Sequence, residues 1–131
     1  MAHEAQSATG RVLTIGLHPK SLDYSRFPGL DERKLLARIE TGHAAMRAAG
    51  FDAVSCLIGT EPDEAEREIR AQLAEGPIAV AMIGGAIRMM PEHTLLFERI
   101  VNLLGDAVLC FNTSPETTVD ALRRAGVVPN A

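Results

Sequence analysis

The hydrophobic positions fall into short apolar runs and helical stripes that alternate four times along the chain. From Arg11 the sequence switches to VLTIGL, a run rich in β-branched residues that predicts a first strand, and HPKSLDYSRFPG then reads as its turn-rich exit. Asp31 is placed to cap a first helix, with Leu30 and Leu35 forming a hydrophobic staple. Leu35, Leu36, Ile39 and Met46 mark one face of that helix and Gly50 ends it. Residues 53–58 predict a second strand. Thr60 and Asp63 have the spacing of a capping box, opening a second helix with a narrow stripe of Ala65, Ile69 and Leu73. Residues 77–83, PIAVAMI, are continuously apolar, as expected of a parallel strand covered on both faces. A third helix follows from about Pro91 to Gly105, then a fourth strand over residues 106–111. Ser114 and Pro115 open a last helix that ends near Arg123, Arg124 and Gly126.

Strict β-α alternation with short connections implies parallel strands joined by right-handed crossovers, hence a three-layer α/β/α sandwich. The third run is the most uniformly apolar and belongs inside, giving a four-stranded parallel sheet of order 2-1-3-4. That is the flavodoxin-like arrangement shortened by one strand. Its switch point lies between strands one and three, and ligands in such sheets bind outside the carboxyl ends of the strands that flank it. Residues 1–10, small and polar, read as a flexible leader, leaving 11–131 as a single α/β domain.

Composition narrows the function classes. With 131 residues of which 47% are hydrophobic, the chain can bury one core. A net charge of −4, a pI near 5.5 and scattered basic residues argue against a nucleic-acid partner, as does the scarcity of aromatic residues. Cys56 and Cys110 sit inside apolar runs with no ligand-spaced partner, so they read as small hydrophobes, with no metal expected. The start MAHEAQSATG lacks the order of a signal peptide, and no apolar stretch approaches a membrane span. The chain therefore reads as a cytoplasmic protein with no membrane partner. Asp63 with Arg67 and Glu66 with Arg70 read as i,i+4 surface pairs.

Candidate chemistry concentrates in two loops at the predicted edge. The twelve-residue loop after strand one carries His18, Lys20, Asp23, Tyr24 and Arg26. Histidine side chains ordinarily titrate near neutrality, so His18, at the strand end, suits acid/base work, with Asp23 or Tyr24 to orient it or the substrate. A polar surface loop with a turn histidine accounts for the same residues. After strand three, Gly84 and Gly85 permit close backbone approach to a ligand, and Arg88 can grip a carboxylate or phosphate in two places. A tight strand exit with an exposed arginine is the plainer alternative. Asn112 and Thr113 leave strand four beside this loop as ligand contacts or as turn residues before the Ser114 cap. His43, on the Ile39–Met46 face and away from the edge, reads as a packed, hydrogen-bonded histidine.

The order of elements resembles flavodoxin-like and receiver domains, although GLHPKS stands where a flavodoxin has a Ser/Thr-rich phosphate loop. Gly84 and Gly85 stand where a receiver has its phospho-accepting Asp. The pairing of GGAIR after a strand with FNTSPE also resembles small bacterial flavodoxin-like, Rossmann-like single-domain proteins of uncharacterised activity, which implies the fold and no reaction.

Two readings follow. One is a site for a small carboxylate or monophosphate between the first and third loops. Arg88, Lys20 and the glycines would hold the anion and His18 would handle a proton, in acid/base or hydrolytic chemistry without an organic cofactor. The other is a non-catalytic interaction subunit. In TLLFERIVNLL the apolar residues wrap more than one stripe, which suits a homodimer through the helix containing Leu96 and Ile100. A metal-dependent hydrolase using His18, Asp23 and Asp31 has no defensible ligand spacing.

Overall fold

The computed structural model describes residues 11–129, so the expected leader lies outside the described residues. Strands β1 (Arg11–Leu17), β2 (Asp52–Ile58), β3 (Val80–Ile83) and β4 (Val108–Phe111) form one parallel sheet in the order β2-β1-β3-β4. Helices α1 (Glu32–Ala48), α2 (Pro62–Ala74), α3 (Gly85–Arg88), α4 (Thr94–Leu103) and α5 (Thr118–Arg124) complete the chain. The architecture is the three-layer, flavodoxin-like sandwich that the alternation predicts. All four residues of β3 are buried, as its apolar run requires of an interior strand.

Local signals account for most element ends. Asp31 caps α1, its carboxylate accepting from Lys34 N at 2.8 Å, and Gly50 closes that helix with φ of 89°. At α2 the cap shifts by one residue from the expected Thr60 to Glu61, which accepts from Asp63 N at 3.1 Å and Glu64 N at 2.8 Å. Pro62 explains the shift, because the residue before a proline is held extended, where a cap must be. β3 starts later than expected because Pro77 has no N–H to donate; pairing to β1 begins with Ala79 N on Arg11 O at 2.9 Å. The sequence reading also missed α3 as a separate turn of helix between β3 and α4.

Two clusters of buried residues lie on opposite faces of the sheet. On one face Leu13, Ile15, Ile58 and Ile83 meet Ala65 and Ile69 of α2 and Leu96 and Ile100 of α4. On the other Val12, Val80, Met82 and Cys110 meet Met46 of α1 and Ala121 and Leu122 of α5. Cys56 and Cys110 are free and belong to different clusters. Burial pushes both thiols up to about 11.

The wide apolar stripe of α4 is largely covered within the chain. Leu96 and Ile100 are buried, while Phe97, Val101 and Leu103 pack partly buried on the same core, with Phe97 tilted against Phe111 at 6.2 Å. Leu95 stands out at 75% exposure. Arg99 joins α4 to α2 through Asp63 and Glu66, each at 3.0 Å. Asp63 thus pairs across helices, whereas Glu66 also keeps its expected partner Arg70 at 2.8 Å. No helix among the described residues is long and apolar enough to cross a membrane.

Candidate functional site

Helix α1 has 17 residues and spans about 25 Å, yet Met46 is the only one buried. Met46 seats the C-terminal end of the helix in the second core. Toward its N-terminus α1 stands off the sheet, and a cavity of about 440 Å³ opens beneath it. Thr14 and Gly16 of β1, Ser55 and Leu57 of β2 and Met82 of β3 floor the cavity, while Leu35, Ile39, Gly42, His43 and Met46 roof it. Leu22, Phe27 and Leu30 from the loop after β1 wall one end. Gly84, Gly85, Met89 and Met90 wall the side toward β3, and the segment from Asn112 to Pro115 completes the rim. The cavity therefore lies at the carboxyl ends of β1 and β3, the predicted switch point.

Specific contacts fix the roof. Arg38 grips Glu116 in two places, Nε on Oε2 at 2.8 Å and Nη2 on Oε1 at 2.7 Å. Those bonds hold the Glu116 carboxyl down to about 2. Gly42 lets α1 approach the loop after β4, because a Cβ there would sit 2.9 Å from Pro115 O. Across the mouth, Arg26 pairs with Glu92, tying the loop after β1 to the loop after β3.

Most polar groups around the cavity are already committed. Asn112, only 6% exposed, accepts from Gly85 N through Oδ1 at 3.0 Å and donates from Nδ2 to Thr118 Oγ1 at 2.9 Å. Thr118 Oγ1 in turn donates to Pro115 O at 2.9 Å. Thr14 Oγ1 donates to Val54 O at 3.4 Å. His43 is different. Its Nδ1 lies 2.9 Å from Arg47 Nη1, and its Nε2 is shielded from solvent with no hydrogen-bond partner among the described residues. Burial and the Arg47 charge both lower its pKa, which favours the neutral ring.

The residues singled out from sequence separate into three places. His18, Lys20, Asp23 and Tyr24 do not line the cavity; they shape the loop whose Leu22, Phe27 and Leu30 do. His18 Nδ1 accepts from Lys20 N at 3.1 Å, Asp23 accepts from Ser25 N at 3.1 Å and Ser25 Oγ at 2.6 Å, and Tyr24 Oη donates to Pro19 O. The Ser25 bonds lower the Asp23 pKa, and burial raises that of Tyr24. Lys20 is exposed. Gly84, Gly85, Asn112 and Thr113 are brought together on the cavity wall. Arg88 lies outside it, donating from Nη2 to Asn112 O at 3.2 Å with its Cζ 5.4 Å from the Phe111 ring centre.

Sequence reasoning passed over Thr14, Gly42 and Ser55, and placed His43 away from the site as a packed, hydrogen-bonded histidine, whereas it lies on the cavity wall. A signal was present: each is a small or polar residue on an otherwise apolar inward face. Among the described residues no group of three or more His, Cys, Asp or Glu could hold a metal ion. Compared with known proteins, the chain matches no family model, no curated protein and no solved structure.

Proposed function

We propose that this protein binds a small, predominantly apolar organic molecule in the cavity between α1 and the carboxyl ends of β1 and β3. The observation that carries this reading is the cavity itself, about 440 Å³, with twelve of its 26 lining residues Leu, Ile, Met or Phe and its exposed wall largely apolar. Ligand pockets run from about 300 to 1,000 Å³, with apolar walls and a few placed polar groups.

Charge favours one ligand class over another. The sequence led to the expectation of a carboxylate or monophosphate, but Arg88 lies off the cavity wall and Arg38, which is on it, is matched to Glu116 by two short bonds. An anionic ligand would have to displace a carboxylate already held in place, whereas a neutral ligand meets no such competitor. The natural ligand is therefore neutral over most of its surface.

A thermal-shift screen tests this, using neutral aromatic and alicyclic molecules beside small carboxylates and phosphates. A ligand at 100 times its dissociation constant adds about 2.7 kcal/mol of stability. Neutral compounds should stabilise the wild type and lose that effect in Leu35→Trp, whose indole fills the space under the roof. Stabilisation by anions alone, or by nothing in the panel, would overturn the reading.

A further inference from the structure

Nothing in the fold requires a glycine at position 16. Gly16 lies in β1, between β2 and β3, with an ordinary negative φ that any residue could adopt. A Cβ added there would meet only Leu57 Cδ2, at 3.5 Å, an ordinary van der Waals contact. No atom of the roof comes within 4 Å of that point, so the space above Gly16 is open. Alternation puts the missing side chain on the α1 side, and Gly16 keeps accessible surface although its strand is interior. A glycine inside a strand weakens it and often marks a place where a ligand comes close to the backbone. Gly84 stands beside it with extended backbone, and a Cβ there would lie 3.6 Å from Gly16 Cα. The two glycines leave a shelf of bare backbone at the carboxyl ends of β1 and β3.

A second, independent observation comes from sulfur. All four methionines among the described residues, Met46, Met82, Met89 and Met90, line this one cavity. Met46 and Met82 are nearly buried, whereas Met89 is exposed and Met90 half-buried. Met89 Sδ lies 3.2 Å from where a Gly85 Cβ would stand, and Met90 Sδ lies 3.6 Å from Arg26 Nη1 at the mouth. Thioethers make favourable contacts with the edges of aromatic rings.

We propose that the cavity takes a planar aromatic ring, laid flat on the bare backbone of Gly16 and Gly84 with the Met89 and Met90 sulfurs toward its edge. This rests on the binding reading above and adds the shape and electronic character of the ligand. A puckered, saturated ring is thicker and has no π-system for the sulfurs to meet, whereas a flat aromatic ring uses both features.

Acetophenone and cyclohexyl methyl ketone carry the same neutral ketone on a flat and a puckered ring. Their affinities for wild type, Gly16→Ala and the double variant Met89→Leu/Met90→Leu are measured by ligand-observed NMR titration. The saturated ring has more apolar surface, so burial alone favours cyclohexyl methyl ketone. Wild type should instead prefer acetophenone by about threefold or more. Gly16→Ala puts a methyl group on the shelf and should weaken acetophenone binding by about tenfold. Its unliganded thermal midpoint should equal or exceed that of wild type, because alanine restricts the unfolded chain. Leucine keeps the volume of methionine without its sulfur, so the double variant should bind both ketones and lose the preference.

Equal affinities, or a preference for the saturated ketone, in wild type would overturn the aromatic ligand and leave the binding reading standing. Undiminished acetophenone affinity in Gly16→Ala, or a lowered midpoint that makes Gly16 a requirement of the fold, would overturn the shelf. A preference retained in the double variant would overturn the part given to the sulfurs. Failure of wild type to bind either ketone would overturn the binding reading and this inference together.

Discussion

The two faces of the sheet share the same strands and differ in how they are filled. On the face covered by α2 and α4, β1 presents Leu13, Ile15 and Leu17, and β2 presents Cys56 and Ile58. On the face covered by α1 and α5, β1 presents Val12, Thr14 and Gly16 in turn, and β2 presents Ala53, Ser55 and Leu57. Because successive residues point to opposite faces, one strand can build a full layer on one side and a hollow on the other. Along β1 the side facing α1 shrinks from valine to threonine to glycine toward the carboxyl end, where the cavity opens. The hollow is thus written into the strands as well as into the way α1 is held.

The largest effect that could break this comparison is a pair of truncations. Ile100→Ala, in the filled layer where Ile100 is fully buried, should cost about 2–5 kcal/mol by transfer and cavity terms together. Leu35→Ala enlarges a space that already exists, from a half-buried position, and should cost about 1 kcal/mol or less. Urea denaturation of the two variants measures both. Equal losses would mean that the α1 layer is as tightly filled as the α2–α4 layer.

A smaller effect concerns how closely α1 sits. An exposed glycine inside a helix costs about 1 kcal/mol relative to alanine, so Gly42→Ala ought to stabilise on propensity alone. At this position the added methyl would lie 2.9 Å from Pro115 O, a backbone atom that cannot swing aside. Overpacking of that kind costs about 1–3 kcal/mol, which outweighs the propensity gain. Gly42→Ala should therefore lower the thermal midpoint and shift the amide resonances of Glu116, Thr117 and Thr118. A higher midpoint would show that α1 is free to move away from the loop after β4.

How much of this was legible in the sequence follows from the same comparison. The strand order, the layers and the Asp31 cap came through because each rests on local pattern: alternation of runs, a uniformly apolar β3, a polar residue before an apolar stripe. The hollow did not, because Leu35, Ile39 and Met46 have the same helical spacing whether they face packed side chains or open space. Periodicity reports which way a residue points and says nothing of how far away the opposing surface is. The polar loop residues His18, Asp23 and Tyr24 drew attention by their chemistry, yet in the fold they bond to their own loop. Thr14, Gly42 and His43, each breaking an apolar face, were the more informative residues for the site.

The smallest effect tests whether α1 depends on its ion pair where α2 and α4 depend on their core. Arg38 lowers the Glu116 pKa from its ordinary 4.5 to about 2, so the folded state favours the charged carboxylate. A group depressed in this way contributes its stability fully above the unfolded value and loses it as pH falls toward the folded one. The window is therefore from about 4.5 down to about 2. Both side chains are about half exposed, 42% and 55%, so the contribution is screened to about 1 kcal/mol or less. Glu116→Gln should flatten the acid limb of the stability curve slightly, and at neutral pH should lower the hydrogen-exchange protection of α1 amides near Arg38. On the filled side, Glu66 is likewise lowered by its bonds to Arg70 and Arg99. There α2 also has Ala65 and Ile69 in the core, so Glu66→Gln should leave α2 protection unchanged. Equal loss of protection in the two helices would mean that neither is held by apolar contact more than by charge, and that the roof of the cavity is no looser than the rest of the fold.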